Sequence, residues 1–542
     1  MDSLGITAPS VSPRPSAYLA AQASRHWPLL VLLFVSAALR AVFFIGLLGS
    51  DDTAYALNAI AMRRGSFVLA EDMTSMRLAL NAAAAGSYGL LGISEWSIAL
   101  PAFVASLLTL LVVYAIAWLI GGRVAAIIAG VLYTFAPLNI LNSSSLLPEV
   151  PMALCTALSV LLFLLGQRAA STPAAVSLCL ISGVALGGGY LFKEPAALVT
   201  VAFAVAAALA WYRGDRRAWL YVVPLAGFTL VFILETILYF QVSGVWLRRF
   251  RGIAEYQAAA VQRSEQERRL QSVWLYPRNM FLVLNQVGLL FYLFLLGGVA
   301  ALRRRWGAPV LIVLWLAIPF LYLEFGSTSL TSYNALPKQP RYLEALTGPM
   351  VILLGGWLAR AWKSPGIGAR RGAYGALAVF VLTSLFFTAL SAVDRRAATE
   401  PIRASAAFLA GAGLRPVYAT SMIANGLVIQ STGAGAAEVR RACAGCVNGP
   451  CSREGGSTAG EVWAVARGVN DEALAPPAEC GRWRASAAIP LPLSPLDRGF
   501  VQTVVFVVGH LPSPASVRAE FRPIQALLEP RYVVVNVPSG VQ

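Results

Sequence analysis

Apolar runs about twenty residues long recur along this chain, and they constrain its fold more than anything else in it. The first, Leu29 to Leu48, carries a single charge, Arg40. Inside a bilayer no water satisfies backbone N–H and C=O groups, so such runs must be helical. Composition agrees. Of 542 residues, 58% are hydrophobic and 13% charged, whereas a soluble domain carries about 25% charged residues. The runs predict about eleven spans, near 29–49, 98–120, 124–142, 150–167, 174–191, 195–212, 218–240, 280–300, 308–323, 342–361 and 373–391. The expected fold class is an α-helical polytopic membrane protein.

Residues 1–28 are rich in Ser, Pro and Ala and read as a disordered cytoplasmic tail. The run after Pro28 is too long for a signal-peptide core, so it is expected to stay as the first span. A net charge of +16 fits basic cytoplasmic loops and anionic headgroups, and no nucleic-acid motif accompanies it. Arg123, Arg168, the Arg213/Arg216/Arg217 cluster, Arg303 to Arg305 and the Arg360–Arg371 group alternate with the other side. They place the N-terminus inside and the C-terminus outside a plasma (inner) membrane. Arg63, Arg64, Arg77, Lys193, Lys338, Arg341 and several Arg between 248 and 278 then fall on outer loops. These oppose the usual bias, and an anionic substrate is one reason for them.

Two adjacent acids, Asp51 and Asp52, follow directly on the first run. At the lipid–water boundary a carboxylate can take a proton from an acceptor hydroxyl while a lipid-linked substrate lies beside it. Alternatively Ser50 or Asp51 caps a helix that begins near Thr53. Arg40, about 16 Å below Asp51 on an ideal helix, is too deep to touch it. It is costly in a membrane unless paired, and Glu235 is a possible partner. The first outer loop, about 50–97, carries two helix-like stretches, Thr53–Arg64 and Leu78–Leu91, which suit the interface, with Trp96 as an anchor. Glu149 opens the fourth span, and Lys193-Glu194-Pro195 marks another outer turn; both acids also suit a first helical turn. Basic side chains between aromatic residues over 241–279 suit a helix on an anionic surface or an ordinary solvated loop helix. Lys338 and Arg341 directly precede the tenth span. Together they suit a lipid phosphate, or else they snorkel.

The order of these features resembles the GT-C glycosyltransferases, in particular the protein O-mannosyltransferase and aminoarabinose transferase group (family 39-like). The features are an Arg about eleven residues before Asp51-Asp52-x-x-Tyr55-x-x-x-Ala59, Leu91-Gly92-x-x-Glu95 before the second span, Pro148-Glu149-x-Pro151, and Lys338-x-x-Arg341-Tyr342. The resemblance covers roughly 29–361. It implies an inverting transfer of a sugar from a polyprenyl-phosphate donor to a protein, lipid or envelope glycan on the outer face. By that resemblance Asp51 activates the acceptor, Asp52 positions it or supports the site, and Lys338 and Arg341 hold the donor phosphate. Glu149 matches a second acidic position, and Tyr55, Lys193 and Tyr342 are expected to line the substrate. The chain departs from the group in having Asp-Asp for Asp-Glu, and Ser75-Met76-Arg77 about where a His-Pro-Pro is familiar. The chemistry fits this allocation. The leaving phosphodiester becomes a monoester and departs unprotonated if cations receive its charge, so one carboxylate plus Lys and Arg suffices.

After about residue 392 apolar runs shorten to strand length: Pro416–Thr420, Leu427–Ser431, Glu461–Ala466, Gln502–Val508 and Tyr532–Val537. Residues 29–391 are thus expected to form the catalytic membrane domain and 392–542 a small extracytoplasmic α/β domain. Four of six cysteines lie in the latter, Cys443, Cys446, Cys451 and Cys480. Location favours two disulfides, and Cys443-x-x-Cys446 alternatively starts a zinc site. No cofactor is implied, and a divalent metal is left open. The competing function is transport of a lipid-linked glycan. Transporters tend to carry polar residues at the midplane, whereas here they cluster at one face.

Overall fold

The computed structural model describes residues 15–48, 51–69, 73–261, 274–304, 309–327, 336, 338–412, 417–419, 439–441, 462–466, 483–490, 493–510, 524–525, 527–528 and 532–538. The chain starts with α1 (Pro15–Val42), α2 (Asp51–Arg63), α3 (Leu78–Leu91), α4 (Glu95–Phe135), α5 (Pro137–Asn142), α6 (Glu149–Arg168) and α7 (Thr172–Phe192). Among the described residues seven helices are long and apolar enough to cross a membrane: α4, α6, α7, Glu194–Tyr212, Ala218–Ser243, Pro340–Lys363 and Ile367–Ala404. His26–Val42, Leu290–Arg303 and Val310–Phe325 are apolar but shorter.

Two expected spans, 98–120 and 124–142, fall on the single element α4. They are nevertheless separate arms. Gly122 takes φ 78°, a conformation that needs glycine, and the chain folds back there. Gly130 then packs against Tyr114, with Leu32 of α1 on the same side. The second arm stops at Phe135 because Pro137 disfavours helical backbone at Ala136, and α5 restarts with that proline at its first position. Around this hairpin pack the helix Glu344–Lys363, α6 and α1, with α7 on the far side of α6. The expected span 280–300 is also modified. Two short helices, Leu275–Phe281 and Leu284–Val287, occupy its first part, and the apolar helix begins only at Leu290.

The first span ends earlier than its apolar run. Helix α1 stops at Val42, and residues 43–48 are not helical. Arg40 and Asp51 therefore do not share one helix, and the depth expected from continuous helical rise does not apply. Nor does Arg40 meet Glu235. Its Nε donates to Ser106 Oγ at 2.7 Å, and Nη1 donates to the Ser36 carbonyl at 3.1 Å. Hydroxyls and carbonyls within the bundle satisfy much of the guanidinium.

Helices α2 and α3 form a layer over the bundle. Tyr55, Ala56, Ala59 and Ile60 of α2 pack with Leu80, Ala84 and Tyr88 of α3, and with Ile98 and Leu146 beneath. The 55/59 and 56/60 pairs are one turn apart, so both contribute to a single apolar stripe. Trp96 is half exposed and stacks on Phe44 at 3.8 Å.

Past the helix Ile367–Ala412 five strands form a sheet of order β2-β1-β3-β5-β4, with β1 Val417–Ala419, β2 Val439–Arg441, β3 Val462–Ala466, β4 Trp483–Pro490 and β5 Tyr532–Pro538. Strand β1 runs parallel to β2 and β3, and β5 runs antiparallel to β3 and β4. The expected strand Gln502–Val508 is instead part of a helix, Pro495–His510. Pro495 at its start and the Ser494 hydroxyl bonded to the Asp497 N–H favour helix initiation. Val501 and Val504, one turn apart, pack on Leu390, Val393 and Ala397 of the long helix. A short apolar run is ambiguous between strand and helix, and here tertiary packing decides. The expected strand Leu427–Ser431, the four C-terminal cysteines, and Gly49 and Ser50 lie outside the described residues.

Candidate active site where helix ends converge

Asp51 is the first residue of α2, and Arg341 meets it across 290 positions of sequence. Arg341 sits in a single 3-10 turn, Pro340–Leu343, just before the helix Glu344–Lys363. Its Nη2 donates to Asp51 Oδ2, and its Nε lies 3.3 Å from Glu149 Oε1. One guanidinium thus joins carboxylates from two different helices, which a planar fork allows and a point charge does not. Glu149 begins α6 and is buried. The same Oε1 accepts from Lys193 Nζ at 2.5 Å. Lys193 occupies the break between α7 and the 3-10 turn Glu194–Ala197, with extended backbone. Its ammonium lies 3.5 Å from the centre of the Tyr342 ring, a close cation–π contact. Burial pulls the Lys193 ammonium down to about 8; Glu149 opposes this, and the like charges of Arg77 and Arg341 add to it. Asp51, Glu149, Lys193, Arg341 and Tyr342 therefore stand together.

Arg77, marked in the sequence as a basic residue on the wrong side and as the last of Ser75-Met76-Arg77, belongs here too. It donates to the Tyr55 hydroxyl, lies 3.9 Å from Glu194, and its charge acts on both Glu149 and Lys193. Its Nε and Glu149 Oε2 have no hydrogen-bond partner among the described residues. Arg249 neighbours Arg77 and shares Glu194 with it. It bonds Glu194 at 2.9 Å, Glu235 at 2.5 Å and the Met76 carbonyl at 3.1 Å, and so ties the helix Arg248–Val261 to the bundle. An isolated basic side chain beside a Ser-Met pair was the available signal for Arg77; Arg249 carried none that set it apart from Arg248 or Arg251.

Two further expected residues, Asp52 and Lys338, are each engaged by a neighbour. Asp52 is buried and accepts the Leu48 N–H, at 2.5 Å, closing the loop that leads into α2. Lys338 is buried against Glu324 at 3.0 Å, with its ammonium 5.3 Å from the Tyr276 ring. A phosphate role for Lys338 competes with this pair, because drawing Lys338 away leaves a buried carboxylate uncompensated. Breaking such a pair costs about 3–5 kcal/mol. Either single change, Lys338→Ala or Glu324→Ala, is expected to lower thermal stability, and the exchange Lys338→Glu with Glu324→Lys to recover most of it. A double variant as unstable as the singles would return Lys338 to ligand binding.

Among the described residues no group of three or more His, Cys, Asp or Glu side chains is placed to hold a metal ion. The arrangement is a partly exposed carboxylate, Asp51, beside a buried cluster of Arg77, Lys193 and Arg341 around Glu149. It provides a base open to an incoming hydroxyl and cations able to receive an anionic leaving group.

A family model described as dolichyl-phosphate-mannose-protein mannosyltransferase matches residues 78–240. The structure is similar to that of ArnT from Cupriavidus metallidurans bound to undecaprenyl phosphate, with 18% identity, a TM-score of 0.54, and 79% of this chain and 87% of that one covered. The apo form of the same protein gives 17% identity, a TM-score of 0.53, and 78% and 86% coverage. The fold is similar to that of ArnT. No curated protein matches the chain. The family match runs from α3 into the helix Val223–Ser243 and includes Glu149 and Lys193.

Proposed function

We propose that this chain is an inverting glycosyltransferase that moves a sugar from a polyprenyl-phosphate donor to a hydroxyl of a protein, lipid or envelope glycan at the outer face of the plasma membrane. The observation that carries it is Arg341 bridging Asp51 and Glu149 while Lys193 shares the same Glu149 oxygen. Asp51 accepts the acceptor proton, and the freed oxygen attacks the anomeric carbon from the face opposite the phosphate. The C–O bond to phosphate breaks, and its electron pair leaves with the polyprenyl phosphate. Arg341, Lys193 and Arg77 receive that growing charge, and Glu149 keeps the three cations together. Asp52 supports Asp51 through the Leu48 contact, Tyr55 fixes Arg77, and Tyr342 packs beneath Lys193. Lys338 serves by anchoring the segment that presents Arg341. The ArnT structure with undecaprenyl phosphate supports a lipid of that class. An outward C-terminus, with the sheet as a small extracytoplasmic α/β domain, belongs to the same reading. So does a span count of eleven, which takes both arms of α4 and the three shorter apolar helices His26–Val42, Leu290–Arg303 and Val310–Phe325.

The test is made with the purified chain in nanodiscs supplied with undecaprenyl-phosphate sugars and mixed acceptors. Release of undecaprenyl phosphate that stops in Asp51→Asn is the expected result. Movement of the intact lipid-linked sugar across a proteoliposome, with no release, would replace the enzyme by a transporter.

A further inference from the structure

Asp51 is the end of a segment that needs to be held. Residues 43–48 lead from α1 towards α2 without forming helix; the Phe43 N–H still donates to the Leu39 carbonyl of α1 at 2.9 Å, and Gly46 turns the chain at φ +80°. Four further hydrogen bonds help to hold this stretch, beside the stack of Phe44 on Trp96. The Gly46 N–H donates to the Ser144 carbonyl at 3.2 Å, and the Ser145 hydroxyl donates to the Gly46 carbonyl at 3.3 Å. The Leu48 N–H bonds Asp52. The fourth comes from far along the chain: Arg403 Nη2 donates to the Ile45 carbonyl at 2.6 Å.

Arg403 is itself held in a fork. Its Nε and Nη2 reach the two oxygens of Glu95 at 3.0 and 2.7 Å, a bidentate pair. Glu95 is the first residue of α4, set by the capping box of Ser94 and Ser97, where an acid also faces the positive helix end. It is the acid of the Leu91-Gly92-x-x-Glu95 stretch that the proposed chemistry leaves unused. The fit leaves no slack at Gly46. A Cβ there would come within 2.3 Å of Glu95 Oε2 and 3.0 Å of Arg403 Nη2. Two turns earlier on the same helix face, Arg396 reaches the Val42 carbonyl at 3.5 Å and pairs with Asp497 of the helix Pro495–His510 at 2.7 Å.

We infer that Arg403 and Glu95 form a positioning clamp on the link before Asp51, so that the last long helix, Ile367–Ala412, sets where the carboxylate stands. Arg403 and Glu95 bond each other, and Arg403 bonds the Ile45 carbonyl, so the clamp acts through the backbone of 43–48. It leaves the phosphate-binding cations alone.

The inference rests on the reading of Asp51 as the base, but its first readout does not. Backbone hydrogen exchange is measured by mass spectrometry on full-length protein in nanodiscs, for wild type, Arg403→Ala, Arg403→Lys and Gly46→Ala. Losing a charge-assisted hydrogen bond should speed exchange across 43–52 about tenfold or more in Arg403→Ala. Lysine, which keeps the charge but lacks the planar fork, should restore part of the protection. Gly46→Ala should open the link from its other side. The second readout splits binding from turnover. Undecaprenyl phosphate should bind Arg403→Ala as it binds wild type, while transfer from undecaprenyl-phosphate sugars falls about tenfold. Unchanged exchange over 43–52 would overturn the clamp, and so would exchange that rises equally throughout the bundle. Localised exchange in a protein that transfers no sugar would uphold the clamp and reject the base.

Discussion

Asp51→Asn is expected to leave a folded protein whose turnover is lower by about 10²–10⁴-fold, the usual contribution of a general base. The structure supplies a rival cause, because the substitution also weakens the bond to Arg341. Magnitude separates the two. The Asp51 side chain is 45% exposed but that of Arg341 only 15%, and losing one charge-assisted bond costs about 1.5–3 kcal/mol, roughly 10- to 150-fold in rate. A loss of about a thousandfold or more therefore belongs to proton transfer. Helix initiation does not confuse the test, since Asn starts a helix about as well as Asp. Asp52→Asn gives the contrast. Its carboxylate is buried and accepts the Leu48 N–H, which an amide oxygen can also accept. That variant should lose stability more than turnover. Transfer rate and thermal midpoint, measured side by side for the two variants, decide the matter. A stable Asp51→Asn protein with near-normal transfer would reduce the acidic pair to a helix start.

Why these residues were visible in sequence has a physical basis. Asp51, Glu149, Lys193 and Arg341 each sit where an apolar run stops. Runs of similar length crossing one slab end at similar depth, so charges at those ends come to one level even without knowledge of packing. That argument places a residue at a height but does not say which neighbour it meets. Glu235, within the seventh expected span, is a possible partner for Arg40 by sequence, and packing gives it to Arg249 instead. Lys338 was grouped with Arg341 because they are three residues apart, yet its partner is Glu324. Arg403 and Glu95, separated by 308 positions, carry no local pattern that joins them. The helix Pro495–His510 was misread for a related reason: its β-branched run fits a strand locally, and only the surface of the long helix makes the 3.6 period pay. The fold of the membrane part was legible because hydrophobic length is a property of the chain by itself. Pairing is a property of the assembled bundle.

Arg341→Lys should be nearly as damaging as Arg341→Ala, and this separates a site residue from a snorkelling cation. A snorkelling side chain offers its charge to the interface, and lysine does that as well as arginine. Here the guanidinium touches two carboxylates at once, with Nη2 on Asp51 and Nε at 3.3 Å from Glu149. Lysine keeps the charge but loses the planar fork that spans both. Charge-assisted hydrogen bonds contribute about 1.5–3 kcal/mol each, so the loss of one should weaken undecaprenyl-phosphate binding roughly 10- to 150-fold. Folding should survive, because Glu149 retains Lys193 at 2.5 Å and is not left as an unpaired buried charge. Lys193→Ala in the Arg341→Lys background removes that protection and should destabilise the protein by more than the two single changes added together, as expected for groups sharing one buried partner. Undecaprenyl-phosphate affinity and thermal midpoint across this set of variants provide the check. Wild-type affinity in Arg341→Lys would assign the residue to the interface and leave the phosphate to Arg77 and Lys193.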